Sequence, residues 1–405
     1  MHHRLITYLF VCLLMASCSP DSHQAGEPAI PRMVLDALYP DYGEPGTEVA
    51  IRGNNFPTDS RQIKVTFDGI DAQILSVSPV EIRVIAPEHK PGDFPVIVTT
   101  ASQSVKGYFY FLKPTSPDNS PKYPQTEIGK VLNGDLCPKV LEVMWDTTYN
   151  VTTGVDYYRM NINTDAAEKQ YIYLLRTDPS KGLEIKVALP NTTTSAVWKR
   201  QTLTQMASSI STASAPVYAM INGDFWNMDS PINPRGPVHC DGIVRSSSWD
   251  YNPKQPQQGL SFVGVRNDGS MIIAPRDKYD AVKDDLKECT GAGFILLSEG
   301  KFPGSDYYAR DPRTAIGYTS NNLVWMLTVD GRHGTKGMTY AEMASIFHGL
   351  GCIAAANLDG GGSAQMLIRN PQTGERQICN WPSDPVEGDG GQERAVINGW
   401  AIVKK

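Results

Sequence analysis

The first third of the chain has the hydrophobic pattern of short β-strands. Between residues 30 and 113, brief apolar runs alternate with polar positions and stop at glycine, proline or polar clusters, as in TEVAIRG, QIKVTFDG, EIRVIAP and FPVIVTT. Short half-buried strands separated by turns at this spacing are typical of a β-sandwich. We therefore expect an all-β sandwich over residues 30–113.

A proline- and serine-rich stretch, LKPTSPDNSPKYPQ, follows the predicted sandwich. This composition favours an extended, semi-rigid linker, which we assign to residues 114–125. Residues 126–405 form the predicted second domain. In that domain YIYLLRT and LEIKVAL have the pattern of strands, QTLTQMASSIS that of a helix, and FVGVRNDGSMIIA that of a hairpin.

One segment of the second domain reads as strand, helix and strand. The apolar run 323–329 ends at Asp330, and the run 352–356 ends shortly before Asp359. Between them, Thr339 and Glu342 have the spacing of a capping box at the start of a helix. A crossover between parallel strands would place both aspartates at one edge of the sheet, beside a crevice. This pattern predicts an α/β (α+β) domain with a mixed sheet.

Three consecutive glycines follow Asp359, in the sequence ANLDGGGSAQM. A glycine triplet loses much backbone entropy on folding, so these residues need unusual dihedral angles or close approach of the backbone to something else. A tight turn and a ligand site both satisfy that need. In the second case, the N–H groups of the loop would form an anion-binding nest beside the planar guanidinium of Arg332.

Further polar residues flank other apolar runs of the second domain. Asn222 and Asp224 follow PVYAMI, Arg313 and Thr314 precede a strand, and the pair Glu393-Arg394 precedes the last strand. Taken singly, each is more often a turn or a surface charge than a functional group. Their occurrence together with the Asp-Gly-Gly-Gly-Ser loop points to a binding site for a phosphate group.

The N-terminus has the composition of an export signal. Arg4 precedes an apolar run over residues 5–16, which is too short to span a membrane, and small residues precede Cys18. The sequence Met-Ala-Ser-Cys resembles the bacterial lipobox, in which the cysteine is lipidated. We expect a signal peptide over residues 1–17, lipidation at Cys18 and a polar tether over residues 18–29, hence an exported lipoprotein of the bacterial cell envelope. The alternative is an ordinary secretory signal with an incidental cysteine.

Charge and cysteine content narrow the possible partners. The formal net charge of −6 becomes −7 once residues 1–17 are removed, and the chain has no block of Lys and Arg. Nucleic acid is therefore not an expected partner, because binding its phosphates needs clustered cations. No Cys-x-x-Cys or His-x-x-x-His spacing supports a zinc site.

Two resemblances to known families refine this interpretation. YPDYGEPGTEVAIRGNNF and VTFDGIDAQILSVSPVEIRVIAPEHKPGDFPVIV resemble the IPT/TIG family, which implies an immunoglobulin-like sandwich. Such domains are spacers or binding modules, and we favour a spacer here over a carbohydrate-binding role. NGDFW, NPRGPVHCDGIV, DPRTAIG, TVDGR, GMTYAEMASIFHGLGCIAAANLDGGGSAQM and NWPSDPVEGDGGQERAVING, in that order, resemble the phosphodiester glycosidase family.

The second resemblance implies hydrolysis between a sugar anomeric carbon and a phosphodiester oxygen, with a carbohydrate phosphodiester as substrate. It implies that Asp359 and Glu393 are the working carboxylates, with Asp330 and Asp224 as candidates for the same role. Phosphate and sugar contacts would come from Asn222, Arg313, Thr314, Arg332, Asn357, Gly360, Gly361, Gly362, Ser363 and Arg394. For Arg394, a salt bridge that positions Glu393 is an equally good interpretation.

Two other functions stay open at the level of sequence. A metal-dependent phosphodiesterase would bind a divalent cation, Ca²⁺ or Mg²⁺, through Asp330, Asp359 and Asp224, and would cleave the phosphorus–oxygen bond. A surface glycan-binding lipoprotein would carry a second domain without catalytic activity. No cofactor other than such a cation is indicated.

Overall fold

The computed structural model describes residues 31–112, 123–165, 167, 169–191, 193, 197–250, 252–332, 335–371, 373–385 and 390–405. The predicted signal peptide, Cys18, the tether and most of the predicted linker lie outside these residues. Within the described part of the chain, no helix has the length and apolar character needed to cross a membrane.

The first domain is a sandwich of two sheets, as its alternating pattern predicts. The sheet orders are β1-β3-β7-β6 and β2-β9-β8-β4-β5, and β2 with β9 is the parallel pair among otherwise antiparallel neighbours. Inward-facing side chains such as Ile51, Ile82, Phe67 and Phe109 are fully buried between the sheets. The strands are β1 (Val34–Tyr39), β2 (Tyr42–Gly43), β3 (Glu48–Asn54), β4 (Lys64–Phe67), β5 (Ile70–Asp71), β6 (Gln73–Val77), β7 (Glu81–Ile85), β8 (Gly92–Thr99) and β9 (Ser104–Phe111).

The second domain is largely β-sheet with four short helices. The helices are α1 (Glu127–Leu132), α2 (Leu203–Ile210), α3 (Tyr279–Val282) and α4 (Tyr340–Gly349). The strands are β10 (Val140–Thr152), β11 (Val155–Thr164), β12 (Gln170–Thr177), β13 (Leu183–Ala188), β14 (Val217–Asn222), β15 (Val238–Cys240), β16 (Ile243–Ser246), β17 (Ser261–Arg266), β18 (Met271–Pro275), β19 (Leu286–Ala292), β20 (Ile295–Leu297), β21 (Arg313–Thr319), β22 (Val324–Val329), β23 (Gly331–Arg332), β24 (Thr335–Lys336), β25 (Cys352–Asn357), β26 (Met366–Arg369), β27 (Arg376–Ile378) and β28 (Gly399–Lys404).

The strands of the second domain pair in three larger sheets and one small ribbon. The orders are β10-β11-β12-β22-β21-β25-β20, β13-β28-β14-β26-β27 and β16-β15-β19-β17-β18, and β23 pairs with β24. Every pair described in this domain is antiparallel, so the prediction of a mixed sheet is wrong. Strands β22 and β25 do not pair, because β21 lies between them and runs opposite to both.

The predicted meeting of strand ends nevertheless holds for a different reason. Since β22 and β25 are both antiparallel to β21, they run in the same direction and end at the same edge of the seven-stranded sheet. Asp330 follows the first of these ends and Asp359 follows the second. The helix between them begins with the predicted capping box of Thr339 and Glu342.

Two of the three larger sheets of the second domain pack face to face, and a helix covers the outer face of each. Ile316 and Met326 of the seven-stranded sheet pack against Ile221 and Trp400 of the sheet that contains β14. On the outer faces, α4 covers the seven-stranded sheet and α2 covers the sheet of β14. The residues that follow β14 and β25 meet, because the N–H of Asp359 donates to the carbonyl of Gly223.

Candidate active site

The loops that follow β14 and β25 are joined by hydrogen bonds between the two sheets. The N–H of Asp359 donates to the carbonyl of Gly223 at 3.0 Å, and the side-chain amide of Asn222 donates to the carbonyl of Asp359 at 2.6 Å. The hydroxyl of Thr314 donates to Asn222 Oδ1 at 2.7 Å. The polar side chains of Asn222 and Thr314 are thus engaged within the protein, where they hold the Asp359 loop in place.

Asp359 is half-buried and its carboxylate is surrounded by groups that stabilise its charge. The N–H of Gly360 donates to Oδ1 of Asp359 at 3.0 Å. Burial raises the pKa of Asp359 to about 6, against the opposing effects of hydrogen bonds from Ser363 and Trp226 and of the positive charge of Arg394. Asp359 is therefore ionised at neutral pH while it retains appreciable basicity.

Asp224 lies beside Asp359 and is 2% exposed. The N–H of Gly236 donates to Asp224 Oδ2 at 2.9 Å. Burial, together with the negative charge of Asp359, raises the pKa of Asp224 to about 8. When the pKa values of two neighbouring carboxyl groups are separated in this way, the group with the lower pKa is ionised near pH 7 and the other keeps its proton.

The glycine triplet permits close approach of other groups to its backbone. A Cβ at residue 360 would lie 2.6 Å from the carbonyl oxygen of Pro312, and Gly361 has a φ of +59°. Both conditions disfavour any residue with a side chain. Three N–H groups of the predicted nest already donate within the loop or to its neighbour, namely those of Gly360, Gly361 and Ser363. Most N–H groups of the predicted nest are therefore already engaged in hydrogen bonds within the protein.

An ion pair lies directly against the third glycine. Arg394 donates from Nε and Nη2 to the two carboxylate oxygens of Asp384, both at 2.5 Å. A Cβ at residue 362 would lie 2.3 Å from Arg394 Nη2. The salt bridge weighed for Arg394 in the sequence thus forms with Asp384, which sequence reasoning did not single out, rather than with Glu393. Arg394 Nη1 also lies 3.5 Å from the hydroxyl of Ser363.

Arg332 also approaches the glycine loop. Its Nη2 would lie 3.3 Å from a Cβ at residue 361. The guanidinium makes long contacts of 3.4 Å with the Ser383 hydroxyl and with Asp311, and its side chain is 36% exposed. Two guanidinium groups therefore flank the Asp359 loop, and that of Arg332 is open to solvent.

A cavity of about 750 Å³ adjoins Arg332 and is also lined by Glu393 and Asp330. Glu393 is half-buried, and its Oε1 accepts the N–H of Thr204 at 2.7 Å in the first turn of α2. Burial raises the pKa of Glu393, while bonds from the helix N-terminus oppose that rise. Helix N-terminal N–H groups favour a bound negative charge, so this glutamate is held in a fixed position.

Asp330 lies at the wall of the same cavity, where three donors hold its carboxylate. The hydroxyl of Tyr173 donates to Oδ2 at 2.8 Å, and Asn380 and the N–H of Trp381 donate to Oδ1 at 3.2 Å and 2.9 Å. Burial raises the pKa of Asp330 to about 7. These bonds fasten the 380–384 segment to the end of β22, so a supporting role fits Asp330 better than direct chemistry.

The guanidinium of Arg313 is held by backbone carbonyls and aromatic rings. It donates to the carbonyls of Met338 and Ala309 at 3.0 Å and 2.7 Å, and it packs over the rings of Tyr340 and Tyr307. Arg313 is 5% exposed. Its Nη2 also lies 3.7 Å from Asp311, the carboxylate that Arg332 contacts at 3.4 Å, so Arg313 and Arg332 share an acidic neighbour.

The donor set does not fit the divalent cation considered above. Among the described residues, no group of three or more His, Cys, Asp and Glu side chains is placed to hold a metal ion.

Asn357, the remaining predicted site residue, is 1% exposed, and its side-chain amide atoms have no hydrogen-bond partner in the described part of the chain. It lies at the end of β25, below the Asp359 loop.

Two segments of this chain match known protein families. Residues 215–403 match the phosphodiester glycosidase family model, and residues 33–112 match the IPT/TIG domain model. These matches confirm both resemblances. The chain thus contains a segment similar to the phosphodiester glycosidase family, and an IPT/TIG segment precedes it.

Individual relatives are distant. A prophage-derived uncharacterised protein of Bacillus subtilis strain 168 is 25% identical over 303 residues, which cover 70% of this chain and 42% of that protein. The mouse N-acetylglucosamine-1-phosphodiester α-N-acetylglucosaminidase is 26% identical over 183 residues, which cover 40% of this chain and 33% of the enzyme. The alignments thus span less than half the length of either relative. The catalytic domain of the zebrafish enzyme of the same name aligns at 16% identity with a TM-score of 0.47, covering 64% of this chain and 87% of that one.

Proposed function

We propose that this protein hydrolyses the bond between the anomeric carbon of a sugar and the oxygen of a phosphodiester, with N-acetylglucosamine-1-phosphodiesters as the first substrates to test. The family match supports the reaction class, and the name of the mouse relative supports the sugar. The observation that carries the proposal is a pair of neighbouring carboxyl groups, Asp359 and the buried Asp224, where the Asp359 loop also contacts the Arg394 guanidinium. Burial raises the pKa of both groups, to about 6 for Asp359 and about 8 for Asp224.

The reaction requires two kinds of charge stabilisation. Positive charge grows on the sugar ring while negative charge grows on the departing phosphate. In the proposal, Asp359 faces the anomeric carbon, as a nucleophile or as the base for water. Asp224 acts as a positioning residue, whose retained proton keeps a second negative charge away from the phosphate.

The leaving phosphate monoester carries its own negative charge and needs little proton donation. Arg332 is the proposed partner of that charge, since a planar guanidinium donates two parallel hydrogen bonds to phosphate. Arg394 already donates two hydrogen bonds to Asp384, and its proposed contribution is positive charge beside the site. Glu393 remains the second candidate carboxylate, because it lines the adjacent cavity together with Arg332. Asn222, Thr314, Asn357 and Asp330 are proposed as supports of the loops.

Turnover of a synthetic N-acetylglucosamine-1-phosphodiester by the purified chain tests the proposal. Wild type should release N-acetylglucosamine, with and without a chelator, and Asp359→Asn should lower kcat at least about 100-fold. Asp268→Asn, on an exposed hairpin, is the matched control and should retain full activity. Equal rates for wild type and Asp359→Asn would contradict the assignment, and loss of activity in chelator would favour the metal-dependent alternative.

We also propose that the enzyme is exported and held at the bacterial cell envelope through a lipid on Cys18. The support is the signal-like run over residues 5–16 followed by the lipobox-like sequence. Labelling with a radioactive fatty acid in a bacterial host should mark the wild-type chain and leave Cys18→Ser unlabelled. Equal labelling of both chains would disprove the anchor.

A further inference from the structure

The cavity beside Arg332 has walls from both domains. The first domain contributes Tyr39, Arg52, Lys106 and Tyr108, which come from β1, β3 and β9. The second domain contributes Asp330, Arg332 and Glu393, together with several tyrosines. The IPT/TIG domain therefore closes a space that opens directly onto groups of the proposed active site.

Buried contacts hold the first domain, which contributes one wall of the cavity, against the second domain. Asp41 forms an ion pair with Arg159, whose side chain is 9% exposed. The side-chain amide of Asn161 donates to the hydroxyl of Tyr42 at 3.0 Å, and the ring of Tyr42 meets that of Trp145 edge to face at 5.0 Å. A buried ion pair and an aromatic contact fix a relative position, because breaking either leaves buried polar or aromatic surface without its partner.

The lining of the cavity is rich in tyrosine. Tyr39 and Tyr108 come from the first domain, and Tyr149, Tyr157 and Tyr171 come from the second. Tyr39 is 48% exposed, and the guanidinium of Arg52 lies over its ring. Tyrosine presents an apolar ring face and a hydroxyl at its tip, and this combination suits the C–H faces and hydroxyl groups of a sugar.

We propose that the IPT/TIG domain forms part of the substrate site and contacts the alcohol portion of the substrate, beyond the phosphate. The inference rests on the proposed function, which places the phosphate at Arg332. The part of the substrate beyond the phosphate then occupies the cavity, whose 750 Å³ lies within the usual range for ligand pockets. An aliphatic lipid would need a mainly aliphatic lining, whereas tyrosine and charged side chains dominate here. The first domain is then a part of the substrate site and not a spacer.

Two synthetic substrates separate this inference from the proposed function. Both are N-acetylglucosamine-1-phosphodiesters, one with methanol as its alcohol and one with a disaccharide. In Tyr39→Ala and Tyr108→Ala, kcat/KM for the disaccharide diester should fall at least tenfold, while kcat/KM for the methyl diester stays within twofold of wild type. Tyr308→Ala is the matched control, since Tyr308 is 73% exposed and lies outside the cavity lining.

Equal effects on both substrates, or no effect on either, would overturn the inference and leave the proposed function standing. If wild type hydrolyses neither diester, the proposed function fails, and calorimetric binding of the disaccharide diester decides the inference. Binding that weakens at least tenfold in Tyr39→Ala would support contact between the first domain and the alcohol portion. Unchanged binding in that variant, or no binding to wild type, would overturn it. Thermal unfolding of each variant shows whether the wall remains folded.

Discussion

Arg394 donates two 2.5 Å hydrogen bonds to Asp384, and the pair lies against the Cα of Gly362. A Cβ at residue 362 would lie 2.3 Å from Arg394 Nη2 and 2.3 Å from Asp384 Oδ1. The glycine loop and the ion pair thus form one unit, which adds a positive charge beside Asp359.

Gly362→Ala should damage this unit. The added methyl group must displace the ion pair, so we expect kcat/KM to fall at least tenfold and the free energy of unfolding to fall by about 1–3 kcal/mol. Gly134→Ala is the control, because Gly134 is exposed and a Cβ there lies 3.3 Å from its nearest neighbour. Wild-type kinetics in Gly362→Ala would show that the position of Arg394 does not matter for the reaction.

Arg332 and Arg313 should behave in opposite ways when replaced. Arg332→Ala removes a half-exposed cation beside the loop, so KM should rise at least tenfold with little change in Tm. Arg313→Met leaves the carbonyls of Met338 and Ala309 without their donor, so the protein should lose about 2–4 kcal/mol of stability while KM stays unchanged. Steady-state kinetics measure KM for each variant, and urea unfolding measures its stability. A raised KM in folded Arg313→Met, or an unchanged KM in Arg332→Ala, would reverse these assignments.

The rate should depend on pH in a bell-shaped manner. Asp359 has a pKa of about 6 and must be ionised, so kcat/KM should fall below that pH. Asp224 has a pKa of about 8 and must keep its proton, so kcat/KM should fall again above pH 8. In Asp224→Asn the alkaline fall should disappear. An alkaline limb that persists in this variant would assign it to another group.

Asp224 should also make stability depend on pH. Its pKa is higher in the folded than in the unfolded chain, so the folded state binds the extra proton. This contribution to stability is present below about pH 4 and is lost as pH rises towards 8. The stability of Asp224→Asn relative to wild type should therefore increase by more than about 1.4 kcal/mol between pH 5 and pH 8 in urea unfolding. A constant difference across this range would contradict a protonated Asp224.

Local pattern predicted the elements of the second domain better than their pairing. The capping box at Thr339, the helix at Leu203–Ile210 and the hairpin at Asn267–Gly269 all follow from nearby residues, and the structure contains all three. The parallel pairing of β22 and β25 was wrong, because nothing in their own sequences shows that β21 inserts between them. Both strand ends still meet at one edge.

The site shows the same limit. Arg313 and Thr314 are consecutive residues of β21, so their side chains point to opposite faces of the sheet, and Thr314 faces the Asp359 loop through Asn222. Strand alternation indicates that only one of these two side chains can face a given site. It does not indicate which of the two does so. Asp384 had no local signal, since its importance depends on the fold of the loop that returns Arg394 to Gly362.

Hydrolysis in oxygen-18 water shows which bond of the phosphodiester breaks. Cleavage between the anomeric carbon and oxygen, by Asp359 or by water that it activates, places the label on the reducing sugar. We expect label in the released N-acetylglucosamine and none in the phosphate. Label in the phosphate would show that the phosphorus–oxygen bond breaks instead, and would exclude glycosidic cleavage.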